Sequence, residues 1–194
     1  IVRSRALPRV HPGAAVLGEV KCSQTLYDDI AKNGGRPILW KTGHSLIKAK
    51  MKEEGALLAG EMSGHVFFAD RFFGFDDAVY AALRLLEIVA ASDRPLHELL
   101  ADVPLTFSTP ELRVDCPDDE KFDVVTKVLA RFRPTNDVVE VDGARILFDG
   151  GWGLVRASNT QPVLVMRFEA QSEARLAEIR REVEDAVSAI RAAG

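Results

Sequence analysis

The stretch VLGEVKCSQTLYDDIAKNGGRPILWKTGHSLIKAKMKEEGALLAG (residues 16–60) decides the fold, because it sets three short apolar runs between polar turns and helical patterns. The runs are VLGEV at 16–20, ILW at 38–40 and ALLAG at 56–60. A brief apolar run that gives way to Gly or polar residues and then to a 3.6-residue period reads as a buried strand feeding a helix, so the order is βαβαβα. The helix after the second run starts near Ser45, carries Leu46, Ile47 and Met51 on one side, and ends at Gly55. Further on, Asp76 and Asp77 suit a helix N-terminus. Val79, Leu83, Leu86 and Val89 follow at spacings of three and four, so they are expected to form the buried face of a helix ending near Ser92. This first lobe is expected to be α/β, with a mixed sheet and helices on both faces.

Beyond it the punctuation changes. Asp93, Arg94 and Pro95 begin a new segment, and Pro104, Ser108, Thr109 and Pro110 interrupt the next, which places the boundary near residue 104 and divides the chain into 1–103 and 104–194. ELRVD at 111–115 alternates like a strand and 118–132 reads as a helix, while VVEVDGARILF at 138–148 reads as two strands around the hairpin pair Asp142-Gly143. Strands LVRAS and VLVMRFEA follow, then a terminal helix with Leu176, Ile179, Val183, Val187 and Ile190 on one face. The second lobe is expected to be a smaller α+β unit, an antiparallel sheet with helices.

The chain has 194 residues, 47% of them apolar, enough for two lobes that each bury a core without disulfides or structural metal. Its two cysteines, Cys22 and Cys116, lie far apart with no second pair at metal-ligand spacing, which points to a reducing, cytoplasmic compartment. With 25 Lys plus Arg against 29 Asp plus Glu the net charge is −4, which argues against nucleic acid as a partner. Apolar stretches fall short of the ~18 residues a membrane span needs, and Pro8, His11 and Pro12 break any signal-peptide core behind Arg3, Arg5 and Arg9. The absence of an initial Met suggests a piece of a longer protein.

In open α/β sheets, ligands gather outside the carboxyl ends of the strands. Three such ends carry Lys21, Cys22 and Ser23; Thr42, Gly43, His44 and Ser45; and Glu61, Met62, Ser63, Gly64 and His65. If the third segment stays extended, its period of two aims Glu61, Ser63 and His65 to one side, as an acceptor, a hydroxyl and an imidazole suited to a polyhydroxylated ligand. Plainer readings stand beside these: a turn with an N-cap at Gly43 and His44, a solvated charge at Lys21, an ion-pair partner at Glu61, a structural histidine at His65. In the second lobe Arg156, Ser158, Asn159 and Thr160 read equally as a phosphate cradle or as a tight Asn-containing turn with a surface arginine. Arg167 is either a second cation or a strand-face charge. The four histidines lack zinc-site spacing, and the acidic pairs Asp28-Asp29, Asp76-Asp77 and Asp118-Asp119 read as helix caps or solvated charges, so no metal ligand is assigned in this chain.

Four blocks together resemble one family: GEMSGH (Gly60 to His65), KTGHSLIKAKM (Lys41 to Met51), DRFFGFDDAVYAALRLLEI (Asp70 to Ile88) and GWGLVRASNTQPVLVMRFEA (Gly151 to Ala170). They resemble the α-D-phosphohexomutases, most closely the bacterial phosphomannomutase/phosphoglucomutase group, and span that family's third and fourth domains. The resemblance implies interconversion of hexose 1-phosphate and hexose 6-phosphate of mannose or glucose, through a phosphoserine enzyme and a bisphosphate intermediate, with Mg2+ support. Residues 1–103 would then be a sugar-recognition domain and 104–194 a phosphate-binding domain. By the same resemblance Glu61 and Ser63 would bind sugar hydroxyls and His44 would line the substrate site. Lys21 and His65 would act beside the transferring phosphoryl group, and Arg156, Ser158, Asn159 and Thr160 would hold the other phosphate.

The family's serine loop and aspartate-rich magnesium loop belong to its first two domains and are not in these residues. The chain alone is therefore expected to lack mutase activity, its partners being hexose phosphates, hexose bisphosphate and the missing N-terminal domains of the same polypeptide. An alternative of another class is a stand-alone, non-catalytic phosphosugar-binding module.

Overall fold

The computed structural model describes residues 2–193, with side chains from Arg5 onward. The chain divides into two compact units, Ile1–Pro104 and Leu105–Gly194. The first contains α1 (Val2–Val10), β1 (Ala15–Glu19), α2 (Gln24–Lys32), β2 (Arg36–Trp40), α3 (His44–Glu54), β3 (Leu58–Gly60), β4 (Val66–Phe68) and α4 (Ala78–Ala90), then a 3-10 turn at Leu96–Glu98.

Its sheet runs β2-β1-β3-β4, with β1 parallel to both β2 and β3, and β4 antiparallel to β3. Alternate strand residues divide two cores. Val16, Leu58 and Phe68 pack with Leu7 of α1, Ile30 of α2 and Tyr80 of α4, whereas Ala15, Leu17, Ala59 and Phe67 pack with Ile47 and Met51 of α3. A mixed sheet with helices on both faces is thus what forms, as the sequence predicts. Helix α2 carries the chain from β1 to β2 over one face, and α3 carries it from β2 past β1 to β3 over the other. The crossovers diverge between β1 and β3, and that divergence is the switch point where the carboxyl edge of a parallel sheet opens into a crevice.

Three local expectations need correction. The third strand does not lead straight into a helix: it turns back as the hairpin β3–β4 before α4 begins. Helix α1, to which the sequence reading assigned no element, forms with Pro8 inside it and buries Leu7. Helix α4 starts where expected, Asp77 Oδ1 capping it by accepting from the Tyr80 N–H at 2.8 Å, but it presents another face to the sheet. Val79, Leu83 and Leu86 are exposed, Val89 is half-buried, and Arg84 is only 4% exposed. The cause lies outside the helix: Arg84 Nη2 donates to Asp70 Oδ2 at 2.7 Å, Nη1 donates to the Asp70 carbonyl and to Tyr80 Oη, and the guanidinium lies 4.7 Å from the Phe68 ring centroid. A hydrogen-bonded ion pair on an aromatic face outranks the apolar stripe in setting the rotation. In α3, Ile47 and Met51 are buried as expected while Leu46 is largely exposed.

The second unit contains β5 (Phe107–Ser108), β6 (Leu112–Asp115), α5 (Lys121–Phe132), β7 (Val138–Val139), β8 (Ala144–Phe148), β9 (Gly151–Ala157), β10 (Val163–Ala170) and α6 (Glu173–Ala192). The sheet is antiparallel in the order β5-β10-β9-β8-β7, with β6 also on β10. Val124, Val128 and Phe132 of α5 and Ile179, Val183 and Val187 of α6 join Ile146, Val155, Leu164, Met166 and Phe168 of the sheet in one core. Each such side chain contributes roughly 1.5–3 kcal/mol of burial. The terminal helix buries the face its periodicity predicts, with Leu176 and Ile190 packed at the margin. Among the described residues no helix is long and apolar enough to cross a membrane.

Candidate functional site

The loops after β1, β2 and β3 leave the same edge of the first sheet, and one buried carboxylate ties them together. Glu19 closes β1 and is fully buried. Its Oε2 accepts from the Lys21 backbone N–H at 3.0 Å and from Thr42 Oγ1 at 2.7 Å, and its Oε1 accepts from the Met62 N–H at 3.1 Å. A second tie joins the loops after β2 and β3: Glu61 Oε1 accepts from the Gly43 N–H at 2.8 Å. Lys21 is buried, whereas His44 sits exposed at the first position of α3, its Nδ1 3.4 Å from Ser45 Oγ. Gly43 takes φ +127°, which lets the chain turn into α3 without a side-chain cap.

Residues 61–65 do not stay extended, so the period-of-two argument for Glu61, Ser63 and His65 fails. They form the tight turn of the β3–β4 hairpin, in which the Glu61 N–H donates to the His65 carbonyl at 2.9 Å and the Gly64 N–H to the Glu61 carbonyl at 3.0 Å. Gly64 adopts φ +93° at its corner. The three side chains still share one short segment, because a turn closes Glu61 opposite His65. Ser63 and His65 are exposed and Glu61 half-buried. His65 Nδ1 lies 2.8 Å from Asp76 Oδ2, and that hydrogen bond is the main reason the Asp76 carboxyl is held below its usual range, against the opposing effect of desolvation. With Nδ1–H donated to Asp76, Nε2 is left as the proton acceptor.

In the second unit Arg156 on β9 is not a free surface cation. It is buried, Nε donating to Asp142 Oδ2 at 3.1 Å and Nη2 to Asp142 Oδ1 at 3.4 Å, and neither bond uses Nη1. Asp142 sits in the β7–β8 hairpin beside Gly143, whose φ is +97° and where a Cβ would lie 2.5 Å from the Val155 carbonyl and 2.7 Å from Arg156 Cβ. Only glycine lets this hairpin lie on β9 at that height. Ser158 is buried and its Oγ accepts from the N–H groups of Thr160 and Gln161 at 3.3 and 3.2 Å, so its hydroxyl shapes the loop. Asn159 and Thr160 are exposed at its tip. Arg167 is half-buried on β10.

Sequence reasoning missed Glu19, Asp76 and Asp142. Each was visible only as a strand end, a helix start or a hairpin residue, since nothing in the linear pattern says which cation or amide it meets. Among the described residues no group of three or more His, Cys, Asp or Glu is arranged to hold a metal ion.

Fold and loops together define a doubly wound α/β unit with polar loops at the carboxyl edge of its sheet, followed by an antiparallel unit with a pinned arginine and a Ser-Asn-Thr turn. Comparison with known proteins gives the class its family. The model of phosphoglucomutase/phosphomannomutase alpha/beta/alpha domain III matches residues 2–107, and that of the phosphoglucomutase/phosphomannomutase C-terminal domain matches 111–186. The chain belongs to the phosphoglucomutase/phosphomannomutase family. It is similar to phosphomannomutase/phosphoglucomutase of Pseudomonas aeruginosa, with 51% identity over 172 residues that cover 88% of this chain and 37% of that protein. It is also similar to phosphoglucomutase of Neisseria gonorrhoeae, at 49% identity with 88% of this chain and 37% of that protein covered. An X-ray structure of a family protein from Burkholderia thailandensis superimposes with a TM-score of 0.88 at 44% identity, over 98% of this chain and 40% of that one. The chain thus spans little more than a third of the length of the curated relatives it matches.

Proposed function

We propose that this chain is the C-terminal part of a phosphohexomutase that interconverts hexose 1-phosphate and hexose 6-phosphate of glucose or mannose. Residues 1–103 recognise the sugar and 104–194 hold a phosphate; the phosphorylated serine and the magnesium ion belong to domains outside these residues. The observation that carries the reading is the tying of three loops, bearing Lys21, His44 and the Glu61–His65 turn, to one carboxylate at the switch point of a doubly wound sheet. One oxygen of Glu61 is committed to Gly43 N–H, which leaves the other to accept from a sugar hydroxyl beside Ser63. When the sugar's free 1- or 6-hydroxyl attacks the phosphoserine, the bond from phosphorus to the serine oxygen breaks as the new one forms; the hydroxyl proton passes to His65 Nε2, the ring being oriented by Asp76, and the Lys21 ammonium offsets charge on the phosphoryl oxygens. Arg156 and the 158–160 loop grip the phosphate that is not reacting, through the guanidinium and the exposed side chains of Asn159 and Thr160. A sugar gripped by its hydroxyls and its distal phosphate can be held in either of two orientations, which an exchange of 1- and 6-positions demands.

Mapping glucose 1-phosphate onto the amide spectrum of the chain tests this. Shifts are expected at Lys21, Thr42–Ser45, Glu61–His65 and Arg156–Thr160; a map confined to other residues would refute it. The chain alone should show no mutase turnover.

A further inference from the structure

The loops that carry the proposed sugar site hang from Glu19, and none of the motif residues explains why a carboxylate should be fully buried there. All its partners on the carboxylate are donors: the amides of Lys21 and Met62 and the hydroxyl of Thr42. A carboxylate, an acceptor on both oxygens, matches all three donors without a flip or a rearrangement. Its own carbonyl is held as well, accepting from Tyr27 Oη at 2.8 Å and from the Cys22 N–H at 2.8 Å. Tyr27 in turn lies against Gly18, where a Cβ would come within 2.7 Å of the phenol oxygen. The end of β1, the Glu19 side chain and α2 are thus locked together.

We infer that Glu19 is a positioning residue: its carboxylate sets the spacing of the three loops so that Lys21, the start of α3 at His44 and the Glu61–His65 turn stand ready for a hexose phosphate. The ligand identity rests on the function proposed above; the tie between loops does not. Among the described residues the parallel pairing of β1 with its neighbours ends at Trp40 and Gly60, and beyond them the spacing between the three loops is set by the ties to Glu19 and by the bond from Gly43 to Glu61. Loops prearranged in this way spare a ligand the cost of ordering them.

Glu19→Gln keeps the volume but replaces one acceptor by an NH2 group. Placing that group opposite the Met62 N–H sacrifices one bond, and placing it opposite Lys21 and Thr42 sacrifices at least the Lys21 amide, so no flip satisfies all three loops. Two readouts are compared with the wild-type chain: hydrogen exchange at the Met62 and Lys21 amides, and the ratio of affinities for glucose 1-phosphate and inorganic phosphate. Exchange at Met62 or Lys21 should speed by roughly tenfold or more, and glucose 1-phosphate should weaken by about tenfold, while inorganic phosphate, held by the Arg156 loop, is unchanged. A purely structural carboxylate would lower the melting temperature and leave that ratio alone, and a ratio within about twofold of wild type overturns the inference. If Glu19→Gln does not fold, Thr42→Val, which removes the hydroxyl that donates to Glu19, is measured by the same ratio: a fall supports the inference and an unchanged ratio overturns it. A wild-type chain that binds neither ligand refutes the proposed function instead, and exchange in the variant then decides whether Glu19 ties the loops.

Discussion

A single carboxylate or its absence changes what His65 and Arg156 can do. Asp76 fixes the His65 ring, so Asp76→Asn should move the imidazole from the tautomer protonated on Nδ1 toward the one protonated on Nε2, which nitrogen-15 shifts report directly. The pH dependence has a defined sign. Because the hydrogen bond from His65 depresses the folded carboxyl of Asp76, the stability it contributes is complete above the ordinary carboxylate value and is lost as pH falls through the depressed one, below about pH 4. Thermal melts of wild type and Asp76→Asn should therefore differ near neutrality and converge in acid; a gap that widens on acidification would contradict the pairing. Asp142 plays the matching part for Arg156, and neither partnership was legible in the linear sequence. For His65 and Arg156 themselves the sequence left a plainer reading open beside the functional one, a structural histidine and a tight turn with a surface arginine; the burial of Arg156 against Asp142 removes the surface arginine. Their orienting carboxylates lie 11 and 14 residues away, a distance at which only the fold determines contact.

Among the elements, strand and helix positions follow from apolar periodicity, and the short parallel strands β1, β2 and β3 emerge where VLGEV, ILW and ALLAG place them. What periodicity could not supply was the rotation of α4 or the hairpin after β3. The rotation depends on Asp70, which precedes the helix; the hairpin depends on Gly64 at φ +93°, which the polar GEMSGH run does not announce. The corrected rotation predicts an inversion of the usual expectation. Arg84→Ala, which takes the hydrogen-bonded guanidinium from the Asp70 carboxylate and carbonyl, should cost about 2 kcal/mol in urea unfolding, whereas Leu83→Ser on the exposed side should stay within about 0.5 kcal/mol. The reverse order would restore the apolar stripe to the core. Gly143→Ala is the corresponding probe of the second unit. Its φ and the 2.5 Å approach to the Val155 carbonyl predict a loss of at least about 1 kcal/mol, together with weaker phosphate binding as Asp142 is displaced from Arg156.

Over the whole molecule, two units of different architecture each close their own core. The change of architecture was legible in the patterning, since short apolar runs alternating with helices give a mixed sheet and a hairpin followed by longer strands gives an antiparallel one. The most direct test is a calorimetric titration of the 194-residue chain with glucose 1-phosphate, run on wild type, Glu61→Gln and Arg156→Ala. The account predicts a saturable heat in the wild type that both substitutions weaken by about tenfold. Arg156→Ala alone should also abolish the response to inorganic phosphate and remove most of the dependence on salt. Equal affinity in all three proteins would contradict it.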